Sequence, residues 1–199
     1  MSLDHILLGM LRRPASGYDL RREFESSAQH FWYAELSQIY PVLKRLEGKG
    51  WLTSRAEPSE RGPERRVYEV TESGRAELVR WLEEGPQFGH QRIAHLAQLF
   101  FMDELGDPGR VRDFVGEVRT AVAKRLATLE AIEAPILDAH GNPDGFPDGE
   151  LYRFSTLRLG IEVAQARIRW CDETIKRLEA RVVRSAGLAE AGTVAPTSV

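Results

Sequence analysis

A chain of 199 residues is long enough for one sizeable domain or two small ones, each with its own core, and two small ones is the expectation here. Its net charge of −3 and pI near 6.0 exclude a protein that coats polyanions by bulk charge. Residues 1–85 carry thirteen Lys and Arg against fourteen Asp and Glu, and the remainder fourteen against sixteen, so any nucleic-acid contact must come from local cationic clusters.

The start of the chain lacks the basic run of a secretory signal, and no apolar stretch approaches the ~18 residues of a membrane span. Leu3, Ile6, Leu7, Met10 and Leu11 are apolar at helical spacing and stop before Pro14, predicting a short first helix. A second begins after Ser16, whose hydroxyl can cap the turn entered by Asp19 three residues on. It gains apolar surface from Tyr18, Leu20 and Phe24 and frays near Ser26 and Ser27. The stretch Gln29 to Glu35, with Phe31, Trp32 and Tyr33, reads as a packed turn.

In the next helix Leu36, Ile39, Leu43 and Leu46 make one stripe at about 100° per residue. Ser37, Gln38, Pro41, Lys44, Arg45 and Gly48 fall on the opposite face, which offers hydrogen bonds and positive charge. Ser37 is expected as the N-cap, placing Pro41 at the edge of the first turn, and Gly48 and Gly50 mark the stop. Tyr40, about 80° from the centre of the stripe, lies between core and outer face. After Leu52, Thr53–Glu57 and Arg65–Val70 flank Pro58-Ser-Glu-Arg-Gly-Pro63, which predicts a β-hairpin with a tip of five to seven residues flanked by Arg61, Arg65 and Arg66. Thr71 caps a following helix that buries Leu78, Trp81 and Leu82 and ends at Gly85-Pro86. This order defines a winged helix-turn-helix.

The second half reads as long helices. Residues 91–105 (Ile93, Leu96, Leu99, Phe100, Phe101, Leu105) are apolar over more than one face and predict a helix buried on several sides. Asp107-Pro108 opens a helix along Val111, Val115, Val118, Val122, Leu126, Leu129 and Ile132 that runs to about Ala134 or a little beyond. A Gly-, Pro- and Asp-rich connector spans residues 138–149. From Glu150 onward, Phe154, Leu157, Ile161, Ala164, Ile168, Cys171, Ile175, Leu178 and Val182 alternate steps of three and four. That seam packs against another helix of the chain or against its copy in a second subunit, and dimerisation is the favoured assignment. The fold class is mainly α. Residues 1–85 form a winged helix-turn-helix of three helices and a two-stranded wing, 86–185 a helical dimerisation domain, and 186–199 a flexible tail.

Sites for chemistry are not supported. The connector offers Asp138, Asn142, Asp144 and Asp148, but an EF-hand needs glycine where Pro143 stands and a bidentate Glu where Gly149 stands. His90 and His95 lie about 140° apart on a helix, poor geometry for one metal. Cys171, the single cysteine, excludes an intrachain disulfide, fits a reducing cytoplasm and reads as a small buried hydrophobe. A metal or redox sensor built on it is a weaker reading. Neither a nucleophile elbow nor a Walker or dinucleotide loop occurs, so the expectation is a non-enzymatic protein without cofactor or metal.

The combination of a polar helix face, a preceding helix with Arg21 and Arg22, and an arginine-bearing hairpin points to double-stranded DNA. Gln38 can bond adenine, Lys44, Arg45 and Lys49 guanine or phosphate, and the hairpin arginines a neighbouring backbone or minor groove. The rival is a winged-helix module that binds a protein partner. Leu7-Leu-Gly-Met-Leu11, Ser16-Gly-Tyr-Asp-Leu20, Gln38-Ile-Tyr-Pro-Val-Leu-Lys-Arg-Leu-Glu47 with Gly50, Arg66-Val-Tyr68 and Thr71-Glu-Ser-Gly74 resemble the PadR family of bacterial transcriptional regulators. Thr156–Ile161 and Arg169-Trp170 resemble its longer, helical-tailed members, and the likeness covers residues 3–180. The resemblance implies a winged-helix homodimer that acts mostly as a repressor and leaves DNA when a small molecule binds. It also implies DNA contacts at Tyr18, Ser37 and Gln38, with wing residues on the backbone. The inducer does not carry over, since no pocket motif matches; the candidate pocket walls are Trp32, Phe100, Phe101 and Trp170.

Overall fold

The computed structural model describes residues 3–27, 31–32, 36–59, 62–89 and 92–192. The chain divides into two compact units, Met1–His90 and Gln91–Val199.

The first unit contains α1 (Leu3–Met10), β1 (Ala15–Ser16), α2 (Gly17–Ser27), α3 (Leu36–Gly48), β2 (Leu52–Ser59), β3 (Gly62–Val70) and α4 (Glu72–Glu83). Its core gathers Leu7, Leu8 and Leu11 of α1, Leu20 of α2, Ile39, Val42, Leu43 and Leu46 of α3, then Leu52 and Tyr68 of the hairpin. The start of α2 is a reciprocal cap. Ser16 Oγ accepts from Asp19 N at 3.2 Å, while Ser16 N donates to the Asp19 carboxylate at 3.1 Å. Thr71 caps α4 as expected, accepting from Gly74 N at 3.1 Å. Gly74 has no room for a side chain, because a Cβ there would lie 2.1 Å from the Trp51 carbonyl oxygen.

Four local expectations need correction. α3 begins at Leu36, so Ser37 lies on the helix surface and does not cap it, and Pro41 sits inside the helix, withdrawing one N–H from its ladder. The wing is a three-stranded sheet of order β1-β3-β2, since Ala15 and Ser16 pair antiparallel with Tyr68 and Val67. Its hairpin strands reach Ser59 and Gly62, which pair with each other, leaving a shorter tip than the prolines suggested. The register slips between Glu57 and Ser59, which accommodates Pro58 and its missing donor. In α4, Trp81 is half-buried, but Leu82 points outward and is 62% exposed.

The second unit contains α5 (Ala94–Phe100), a 3-10 turn at Met102–Leu105, α6 (Pro108–His140), a second 3-10 turn at Pro143–Gly145, and α7 (Asp148–Gly192). Residues 91–105 do not form the continuous buried helix expected. The helix stops at Phe100, Phe101 leaves helical geometry, and Phe100 and Phe101 are 79% and 65% exposed. Asp107 caps α6 through Gly109 N and Arg110 N, ahead of Pro108. α6 continues through Pro135 to His140. α6 and α7 form an antiparallel hairpin whose centre is Leu129, Leu157 and Ile161, flanked by Leu126, Ile132 and Ile136. Arg119–Asp172 and Arg158–Glu133 (2.9 Å) bridge the pair. α7 extends past the expected limit of order at Ala186, as Ala, Leu and Glu between Ala186 and Ala191 favour helix. Residues 193–199 of the expected tail lie outside the described residues.

Candidate nucleic-acid interface

The outward face of α3 is built by what its inward face does. With Ile39, Leu43 and Leu46 buried to 1% exposure or less, helix geometry turns Ser37, Gln38, Pro41, Lys44 and Arg45 to solvent, and all five are exposed. Tyr18 at the start of α2 and Tyr40 on α3 are 60% and 49% exposed. Tyr40 lies against Gly17, where a Cβ would come within 2.6 Å of its ring. Glycine at 17 is thus what lets α2 begin beside α3 and brings the two tyrosines to one surface.

The cations divide into two groups. Lys44 makes no ion pair among the described residues, whereas Arg45 and Lys49 share one carboxylate, Asp4 of α1. Arg45 Nη2 and Nε both donate to Asp4, the second at 3.4 Å, and this bond raises the Arg45 pKa. Lys49 Nζ lies 3.4 Å from Asp4 and 4.3 Å from the centre of the Trp51 ring. Arg66 of β3 is tied to Glu47 of α3 at 2.9 Å and to Ser54 Oγ of β2 at 2.6 Å. The Ser54 hydroxyl, then the Arg66 guanidinium, hold the Glu47 carboxyl below its ordinary value against the cost of burial. Arg65 pairs with Glu57 at 3.2 Å and approaches Asp19 of α2 at 3.9 Å. Asp19 is lowered chiefly by the Ser16 hydroxyl, with Arg65 adding to it. Burial pushes the Tyr68 phenol up beside this network. Arg61 lies outside the described residues.

The residues that sequence reasoning passed over are therefore the anions. Asp4 is 6% exposed, and a signal for it exists: Asp4, Leu7, Leu8 and Leu11 share one helical stripe, so a carboxylate stands where only apolar side chains are at ease. A buried carboxylate demands a cation, and Arg45 and Lys49 meet that demand. Glu47 sat inside the quoted motif without an assigned partner, since nothing local places β3 beside it.

In the second unit the dimerisation seam is occupied within the chain. Phe154, Leu157, Ile161, Ala164 and Cys171 are buried, and Ile168, Ile175, Leu178 and Val182 half-buried. Helix hairpins satisfy such a seam from either source, and here α6 supplies the cover. Burial pushes the Cys171 thiol up, the environment of an unreactive sulfur. What remains uncovered on α7 is another stripe at the same spacing, Tyr152, Thr156, Leu159, Val163, Ala166 and Trp170, with Tyr152 and Leu159 64% and 65% exposed. Of the aromatic quartet, Phe100 and Phe101 meet edge to face at 5.0 Å. Trp32 is half-buried in the first unit and Trp170 exposed on α7. A hollow of about 750 Å³ in the second unit is lined by α6 between Arg112 and Lys124 and by Ile175 and Glu179 of α7, and includes none of the four. No helix among the described residues is long and apolar enough to cross a membrane.

An exposed polar helix held on a three-helix core and flanked by an arginine-bearing wing defines a winged helix-turn-helix regulator. Residues 6–80 match the PadR-like family of transcriptional regulators and residues 91–179 the C-terminal domain of virulence activator alpha. The chain is 41% identical over 184 residues to the negative transcriptional regulator PadR of Bacillus subtilis, covering 89% of this chain and 97% of that protein. The Vibrio cholerae virulence activator AphA superposes with a TM-score of 0.69 at 30% identity, over 90% of this chain and 99% of that one. The crystal structure of Bacillus subtilis PadR in complex with operator DNA superposes with a TM-score of 0.75 over 88% of this chain and 98% of that one. Only 24% of those spatially paired residues are identical, below the 41% of the sequence match, so this superposition supports the fold alone. The chain belongs to the PadR-like family of transcriptional regulators.

Proposed function

We propose that the chain is a cytoplasmic, ligand-responsive repressor that binds a near-palindromic operator as a homodimer and acts by binding, not as an enzyme. The observation that carries this reading is the solvent-facing row of Ser37, Gln38 and Lys44 on α3, next to a wing whose Arg65 and Arg66 are half or more exposed. A helix presented this way fits the major groove, where Gln38 suits adenine, Ser37 a base edge or sugar, and Lys44 a phosphate or guanine. Tyr18, Tyr40 and the wing would hold the register on the backbone. The relative from Bacillus subtilis, whose structures are of a complex with operator DNA and a complex with p-coumaric acid, supports both the DNA partner and a small-molecule effector. Phe100, Phe101 and Trp170 of the second unit are the proposed effector contacts there, and Trp32 the proposed contact in the first unit.

A second copy would cover the stripe from Tyr152 to Trp170 on α7, together with half-buried ends of the seam such as Ile175 and Leu178. Two copies so joined present two α3 helices to one DNA face. An effector would then shift the population towards a spacing that does not fit DNA.

The test is binding of the purified protein to its own upstream DNA and to a scrambled duplex across a salt series. Preference for the upstream fragment is expected, with Gln38→Ala costing about 1–3 kcal/mol of that preference and Lys44→Ala reducing the salt slope by about 1. Equal binding to both duplexes, with a salt-insensitive complex formed with a protein, would establish the rival interaction module instead.

A further inference from the structure

We infer that Asp4 is a specificity-determining residue: its buried carboxylate takes the place of a DNA phosphate on Arg45 and Lys49 and removes one of their two positive charges from sequence-independent attraction. This deepens the DNA-binding reading and rests on it. The carboxylate is itself 6% exposed and is fixed on α1, whose Leu7 and Leu8 are fully buried in the core. It therefore cannot follow the cations outward. Arg45 grips it through two nitrogens, and Lys49 is held from one side by Asp4 and from another by the Trp51 ring. The two cationic side chains nonetheless remain 50% and 42% exposed, within reach of a polyanion.

The consequence follows from how proteins bind DNA without reading it. That affinity comes from releasing counterions condensed on phosphates, and a cation already neutralised by a carboxylate releases none. One anion shared by two cations leaves the cluster at +1 instead of +2. Lys44, which makes no ion pair among the described residues, stays available as the uncompensated cation of α3. The fold thus keeps non-specific attraction low, and base contacts at Ser37 and Gln38 decide where the protein stays.

The experiment is the salt series on a scrambled duplex with the full chain. Asp4→Asn is expected to steepen the slope of log K against log salt by about 0.9 for each cation released, an extra loss of about 3–4-fold per cation between 50 and 200 mM. The ratio of upstream to scrambled affinity falls with it. Adding Arg45→Gln to Asp4→Asn removes part of the gained slope, and Asp4→Glu, which keeps the anion, keeps the original slope. A slope unchanged by Asp4→Asn overturns the inference even when the parent protein still prefers its upstream DNA, which separates this failure from failure of the DNA-binding reading. If Asp4→Asn does not fold, a double variant decides: Arg45→Gln with Lys49→Gln is expected to reduce the slope by about as much as Lys44→Gln alone, since the two cations count as one, and twice that reduction overturns the inference.

Discussion

α3 and α7 both carry an apolar stripe at helical spacing, and they end in opposite states. α3 buries its stripe in the first unit, and the charges left outside are held by partners on neighbouring elements: Arg45 by Asp4 of α1, Glu47 by Ser54 and Arg66 of the wing. α7 buries one stripe on α6 and leaves a second, from Tyr152 to Trp170, facing solvent. The first unit closes one core around Leu7, Leu20, Leu43 and Leu52 from four of its own elements. The second leaves an apolar stripe uncovered, because a hairpin of two helices has two apolar faces and only one internal neighbour.

The sharpest way to separate the two stripes of α7 is to cut one residue from each. Leu157 is 4% exposed against α6 and Leu159 is 65% exposed. Leu157→Ala is expected to destabilise the second unit by about 2–5 kcal/mol in denaturant unfolding. Leu159→Glu is expected to leave monomer stability within about 0.5 kcal/mol and to lower the dimer fraction in sedimentation. Comparable unfolding losses from both would erase the distinction between the stripes.

The closure of the first unit is tested at its tightest backbone approach. Gly74→Ala drives a Cβ into the Trp51 carbonyl, and overpacking of this kind costs about 1–3 kcal/mol. A melting temperature equal to the parent's would show that the start of α4 can move away from the wing, so that the two are not tightly joined there. Thr71→Ala removes the cap on Gly74 N and should cost about 1 kcal/mol, with Thr71→Ser recovering most of it.

The smallest effect concerns pH. Arg80 first, and His5 second, hold Glu77 down from 4.5 to about 2. A carboxyl whose pKa is depressed by folding stabilises fully above its unfolded value, so this contribution is complete above about pH 4.5 and is lost as pH falls through about 2. Melting curves across that window should flatten in Glu77→Gln. An unchanged pH profile would mean that the link from α1 to α4 through His5, at 3.0 Å from Glu77 and stacked on Trp81, does not bear on stability.

Much of the first unit, and the start of α6 in the second, was legible because the signals are local. The stripe of Ile39, Leu43 and Leu46, the Ser16/Asp19 reciprocal cap, the Thr71 cap and the Asp107-Pro108 start are contained within a turn or two of chain, and helix geometry alone converts them into contacts. Boundaries were less legible. The start of α3 falls at Leu36 and not after Ser37, and the pairing of Ala15 and Ser16 with β3 depends on a strand that approaches from far along the chain. The exposure of Phe100 and Phe101 was not legible at all, since an all-round apolar sequence looks the same whether its cover comes from its own chain or from elsewhere.

By itself the sequence determined which residues could form helices, which face of α3 would be polar, and to which family the motifs belong. Only the tertiary structure decided who pairs with whom: that Asp4 holds Arg45 and Lys49, that Glu47 holds Arg66, and that the seam of α7 belongs to α6. The physical reason is range. Periodicity and capping act over a few residues, while a buried charge or an apolar stripe accepts any partner of suitable sign or shape, and only the folded chain settles which one arrives.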